Sequence, residues 1–205
     1  MCKNFTVLET KMKIQKVCVY CASSKQAHLQ YYQSATELGV LLAQNGIEII
    51  YGGGAVGSMG ALADGALSAN GKVTGIIPKF MVELEWSHPS ISDLVIVETL
   101  HERKQRMIEG ADAVIALPGG TGTLEELFEA ITWKRLGLYF NPIIILNTRG
   151  YFDPLIDLLE RSVTEKFLDN RHLRMWTVVD EPSQVLEAIT TASAWDKNAR
   201  GFAAL

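Results

Sequence analysis

The chain has 205 residues, 48% of them hydrophobic and 20% charged, which is enough for one sizeable core and short for two. Nineteen Lys and Arg against 23 Asp and Glu leave a net charge of −4, which argues against a surface that coats polymeric nucleic acid. Three cysteines are too few, and odd in number, for a disulfide scaffold and point to a reducing, cytoplasmic setting. Residues 1–15, MCKNFTVLETKMKIQ, lack the continuous apolar stretch of a secretory signal and read as an N-terminal tail; residues 16–193 form the expected domain and 194–205 a C-terminal tail. No run reaches the eighteen or so apolar residues of a membrane span, so a soluble protein is expected.

Within the domain a strand at Lys16 to Cys21 precedes a helix at Leu29 to Gln44, and a strand at Ile47 to Tyr51 precedes a helix at Gly57 to Asn70. A strand at Val73 to Ile77 leads into an irregular segment, Lys79 to Asp93, suited to a loop over a site or to an ordinary surface connection. Then come strand Leu94 to Val97 and helix Glu102 to Gly110, strand Ala113 to Leu117 and helix Leu124 to Leu136, strand Ile143 to Leu146 and helix Pro154 to Phe167, and strand Trp176 to Val179 and helix Pro182 to Ala192. Runs such as VIAL and IIIL are nearly continuously apolar, as in parallel strands covered on both faces. The expected fold is α/β, a Rossmann-like doubly wound parallel sheet in a single domain, with its ligand beyond the carboxyl ends of the strands.

The segment Pro118-Gly119-Gly120-Thr121-Gly122-Thr123-Leu124-Glu125-Glu126 follows a strand and opens a helix. Its glycines permit close approach of a ligand, and a helix start offers free N–H groups and a positive dipole end, so a phosphate is the natural guest. Thr123 through Glu126 also fits a capping box, with Thr123 as N-cap and Glu126 reaching back. That alternative leaves the Pro-Gly-Gly-Thr-Gly lead-in and the second carboxylate, Glu125, unexplained.

Gly52, Gly54 and Gly57 formally spell G-x-G-x-x-G, but the position where a dinucleotide fold places its ribose-binding acid reads Ile76-Ile77-Pro78-Lys79, which disfavours NAD. The glycines serve either tight strand-to-helix packing or a wall that a nucleotide approaches. The run His101-Glu102-Arg103-Lys104 would ordinarily be a solvated helix face, but its position puts Arg103 and Lys104 at the ligand edge of the sheet. Cys18 and Cys21 lie three apart on a strand and so face opposite ways, and the scattered histidines have no partner at zinc-ligand spacing. Ser23 and Ser24 follow the first strand, as ligand donors or as caps of the next helix.

Together YGGGAVGSMG, LHERK and PGGTGTLEE resemble the LOG ("lonely guy") family of cytokinin riboside 5′-monophosphate phosphoribohydrolases, from Val17 to about Ile189. The departures are Ala22 for the usual glycine of a CGSS segment and Leu100 for the usual methionine of MHERK. The resemblance implies hydrolysis of the N-glycosidic bond of an adenine-type nucleoside 5′-monophosphate to free base and ribose 5-phosphate. Gly119, Gly120, Thr121, Gly122 and Thr123 would hold the 5′-phosphate, Arg103 would be the catalytic arginine with Lys104 beside it, and Glu125 and Glu126 are the candidate carboxylates. Glu85 and Thr132 would also line the ligand site, with Gly53, Gly54 and Ser23 as further contacts. No metal or cofactor is implied, and a decarboxylase reading finds no identifiable pyridoxal-phosphate lysine. A homodimer with the site near the subunit interface is implied; Trp133 at helical spacing reads as packing. The alternatives are a general AMP or nucleotide 5′-monophosphate nucleosidase and a non-catalytic carrier resembling the molybdenum-cofactor carrier proteins. Arg103 with two carboxylates argues against the carrier, because a pure anion binder has no need of them.

Overall fold

Val17, Cys18, Val19 and Tyr20 are all buried because strand β1 (Lys16–Tyr20) lies at the centre of a sheet with helices on both faces. The computed structural model describes residues 14–84 and 86–203. Its other strands are β2 (Glu48–Tyr51), β3 (Val73–Pro78), β4 (Asp93–Val97), β5 (Ala113–Ala116), β6 (Ile143–Leu146) and β7 (Thr177–Val179), each within a residue of its expected bounds. All pair in parallel, in the order β4-β3-β2-β1-β5-β6-β7. The chain moves outward from β1 to β4, returns to set β5 beside β1, and then moves outward the other way. The strand order therefore reverses between β1 and β5, where an open α/β sheet leaves a crevice beyond its carboxyl ends.

Side chains alternate across the sheet. Val17, Val19 and Cys21 pack with α1 (Leu29–Gln44), α2 (Gly57–Ser68) and α7 (Val185–Thr191) through Leu38, Leu42, Leu62 and Ile189. Cys18 and Tyr20 face α4 (Leu100–Ile108), α5 (Thr121–Arg135) and α6 (Asp153–Thr164) through Met107, Leu127, Ile131 and Leu159. Cys18 and Cys21 thus lie in different cores, as their spacing predicts.

Some features depart from the sequence reading. Edge strand β4 is covered less completely than the runs in the middle of the sheet, with Leu94 38% and Ile96 54% exposed. The irregular segment after β3 contains a short helix, α3 (Lys79–Glu83), and then lies against the glycines that follow β2: Ala55 N–H donates to Trp86 O, and His88 N–H to Gly53 O. Residues 194–203, set apart above as a tail, carry Trp195, Ala199 and Phe202, which complete the core beside α5. The Trp195 indole donates to Lys134 O at 2.6 Å. Three apolar side chains four and three residues apart bury more surface than an extended tail would, and this holds the segment down. No helix among the described residues is long and apolar enough to cross a membrane.

Candidate active site

The chain leaves β5 and is tied to the end of β1 by Leu117 N–H donating to Tyr20 O at 2.9 Å. Helix α5 then begins at Thr121, with Gly120 as an extended N-cap and no side-chain cap. The capping-box alternative therefore does not hold: the helix begins at Thr121, two residues before the Thr123 that would have capped it, and Thr123 lies in its first turn. Thr123 is buried against Gly119, whose Cβ, if present, would lie 2.1 Å from the threonine Oγ1. Glu126, three residues on, is buried as well. The N–H groups of Gly120, Thr121, Gly122 and Thr123 have no protein acceptor among the described residues. Around Gly120 and Gly122 nothing lies within 4 Å of a would-be Cβ. Packing does not require glycine at either position, whereas a guest seated on the helix N-terminus does.

Arg103 reaches this region from α4. Thr99 caps that helix by accepting from Glu102 N–H, so it begins at Leu100 and not at Glu102. The buried guanidinium donates from Nε to Ile76 O at 3.0 Å and from Nη2 to Gly52 O at 3.3 Å, and its Nη1 lies 3.6 Å from Glu126 Oε1. Arg103 thus crosses the ends of β3 and β2 to meet a carboxylate delivered by the helix after β5. Burial pushes the Glu126 carboxyl up to about 7, while the Arg103 charge pulls it back down.

Gly52 has a specific duty here that the sequence reading did not identify. A Cβ at that position would lie 2.1 Å from Arg103 Nη2. Gly52→Ala is therefore expected to displace the guanidinium and lower kcat by about 10²-fold. In the Gly52→Ala/Arg103→Ala double variant the two losses should not add, because both remove the same group. Additive losses in steady-state kinetics would contradict this coupling.

The neighbouring glycines also have internal reasons for being glycine. Gly54 accommodates Met59, and Gly53 has φ +77 and receives the loop carrying His88. At Gly57 a Cβ would meet the backbone of Ser23 and Ser24 at 2.6 Å, which keeps the loop after β1 against α2. Of the two readings of this stretch, packing accounts for all four glycines. Ser23 and Ser24 do not cap α1; His28 does, accepting from Gln30 N–H. Ser23 is left exposed beyond β1, on the crevice side.

Lys104 pairs with two glutamates of α5 and makes no hydrogen bond to the glycine loop. Its ammonium binds Glu125 at 2.7 Å and Glu129 at 3.3 Å, clamping α4 to α5. Burial would lower its pKa, but hydrogen bonds and charge from these two glutamates outweigh burial and raise it. Thr132 is exposed, two turns beyond Glu125 on the same stripe of α5 as Phe128, and does not converge with Gly119–Thr123. Glu85 lies outside the described residues. Among the described residues no group of three His, Cys, Asp or Glu side chains is placed to hold a metal ion.

Comparison with known proteins places these features among relatives. A family model described as "Possible lysine decarboxylase" matches residues 59–189. Cytokinin riboside 5′-monophosphate phosphoribohydrolase LOG2 of Arabidopsis thaliana is 38% identical over 181 residues, covering 88% of this chain and 85% of that protein. The enzyme of the same name, LOG, from Oryza sativa subsp. japonica is 40% identical over 160 residues, covering 78% and 66%. Among solved structures, TM1055 is 26% identical with a TM-score of 0.69, covering 86% of this chain and 98% of that one. The molybdenum cofactor binding protein of Rippkaea orientalis, 24% identical with a TM-score of 0.65 and covering 87% and 96%, shares the fold.

Proposed function

Because this chain belongs to the LOG family of phosphoribohydrolases, we propose that its crevice between β1 and β5 is where a cytokinin riboside 5′-monophosphate is cut into free base and ribose 5-phosphate. The chain is an N-glycosyl hydrolase, and its substrate is a small molecule. The observation that carries the site assignment is the buried Arg103–Glu126 pair beside an uncapped helix N-terminus with two glycines facing open space.

The 5′-phosphate sits on the N–H groups of Gly120, Thr121, Gly122 and Thr123, where the helix dipole favours an anion. Breaking the bond from C1′ to the base nitrogen leaves positive charge on the ribose, and the Glu126 carboxylate stabilises that charge and aligns the attacking water. Arg103 holds Glu126 in place and keeps it ionisable against burial. Glu125, paired with Lys104 at the surface, is the less suited carboxylate. The decarboxylase description does not fit the two buried lysines, Lys104 and Lys134. Lys104 is engaged by two glutamates, and Lys134 lies in the last turn of α5, about 20 Å along the helix from the glycine loop, donating to Asn141 O.

A homodimer suits the exposed stripe of Glu125, Phe128 and Thr132, because a second copy seated on it would bring Thr132 against a site it cannot reach within its own chain. Sedimentation equilibrium should then give twice the chain mass of 22.6 kDa, and a single-chain mass would contradict the dimer. The buried thiols of Cys18 and Cys21 suit a reducing, cytoplasmic setting. Incubation with N6-isopentenyladenosine 5′-monophosphate, with AMP for comparison, tests the function by release of free base. Release from neither would overturn it.

A further inference from the structure

The loop after β6 supplies the one hydrogen bond that a described side chain donates to the backbone of the glycine loop: the Tyr151 phenol donates to Gly119 O at 2.5 Å. From this geometry we propose that Tyr151 is a positioning residue for the phosphate cradle, aiming the Gly120 N–H at the bound anion. The proposal rests on the phosphate site described above.

The physical argument begins with the peptide between Gly119 and Gly120. It is trans, as are all the described peptide bonds, so its C=O and N–H point in opposite directions. A phenol that holds the carbonyl on one side therefore fixes the N–H on the other, and that N–H has no protein acceptor among the described residues. Donation to the carbonyl also polarises the peptide and makes that N–H a stronger donor. Because the unit is planar it turns as one body, and among the described residues no protein acceptor holds the Gly120 N–H, so the phenol on Gly119 O is the hydrogen bond that sets its orientation. A glycine-rich segment has little stiffness of its own, and this is where an external tether matters.

The loop that presents Tyr151 is heavily determined. Asn147 accepts from Phe152 N–H and donates to Asp153, both at 2.7 Å, and Thr148 bonds the buried Ser34 hydroxyl at 2.8 Å. Arg149, with φ +63, holds a left-handed conformation that costs a non-glycine residue about 1–2 kcal/mol. Its guanidinium bonds Gln30 at 2.7 Å and the His28 ring. The Tyr151 ring lies edge-on between Tyr31, at 5.9 Å, and Phe152, at 5.0 Å. Strain of this kind persists where the surroundings over-determine it and often marks functional positioning. None of these contacts requires the hydroxyl, which has a single partner in Gly119 O.

Tyr151→Phe keeps the ring and deletes the tether. Calorimetric titration with ribose 5-phosphate should show a dissociation constant about tenfold weaker than that of the unaltered protein, the loss expected for one well-aligned hydrogen bond to the cradle. Tyr31→Phe, which leaves the tether in place, should bind as the unaltered protein does. A purely structural Tyr151 would change the melting temperature and leave the dissociation constant where it was, and that result overturns the proposal. An unaltered protein that fails to bind ribose 5-phosphate at all would instead overturn the phosphate-site reading, so the two failures are distinguishable. If Tyr151→Phe should fold poorly, the 15N-labelled Gly120 amide in the unaltered protein offers a second reading. Its resonance should shift strongly on adding ribose 5-phosphate, and a Gly120 amide that does not respond counts against the proposal.

Discussion

Glu126→Gln is expected to lower kcat by about 10³-fold while the protein stays folded, because a neutral amide of the same shape cannot stabilise positive charge on the ribose. Glu125→Gln should cost far less, since it removes only an exposed partner of Lys104. Near-equal losses would show that the site does not separate the two carboxylates in this way. The pH dependence supplies an independent check. Burial raises the Glu126 pKa from the ordinary 4.5 to about 7, so the folded state binds this proton more tightly than the unfolded chain does. Ionising it therefore costs stability progressively from pH 4.5 to pH 7 and by a constant amount above, at most about 3 kcal/mol. The Gln variant has no such cost. Its melting temperature relative to the unaltered protein should rise between pH 4.5 and 7 and then level off, while kcat of the unaltered protein falls below pH 7 as the carboxylate is protonated. A melting-temperature difference that is flat with pH would mean that Glu126 is not held protonated by burial.

Removing the 5′-phosphate from the substrate is expected to be at least as damaging. The anion anchors the substrate several atoms from the bond that breaks, and binding energy of this kind positions the reacting centre, so the riboside should lose turnover as well as affinity. A fall in kcat/KM of about 10³-fold or more, carried partly by kcat, is the expected kinetic result. If the riboside were used with unchanged kcat and only a higher KM, the cradle would be contributing uniform binding and no orientation.

How much of this was legible in the sequence depends on the kind of interaction. The strands could be read because parallel strands buried on both faces are continuous apolar runs; the two edge strands depart from that rule, β4 with Leu94 and Ile96 exposed and β7 with Thr177 and Val178 part-buried. The place of the candidate crevice was legible from topology, because loops at the carboxyl ends gather where the strand order reverses. Local helix starts were less legible. Thr123 with Glu126 has the spacing of a capping box, and nothing local reveals that Gly120 begins the helix earlier and that both side chains turn inward. The duty of Gly52 could not be read at all, since it depends on an arginine 51 residues later in the chain whose guanidinium occupies the space of a Cβ. Tyr151 belongs to the same class: an aromatic just past a strand end was visible, but its bond to Gly119, 32 residues earlier, was not. The final segment looked like a tail because it is short and carries no periodic pattern, yet Trp195 and Phe202 are large enough to hold it to the core.

The central claim is that this site cleaves the bond between base and sugar and leaves the phosphate ester intact. Real-time NMR of N6-isopentenyladenosine 5′-monophosphate mixed with the protein, following 1H and 31P signals together, tests it most directly. The predicted result is free base and ribose 5-phosphate appearing in equal amounts, with no riboside intermediate and no inorganic phosphate. Accumulation of the riboside with free phosphate, or an unchanged spectrum from a folded protein, would contradict it.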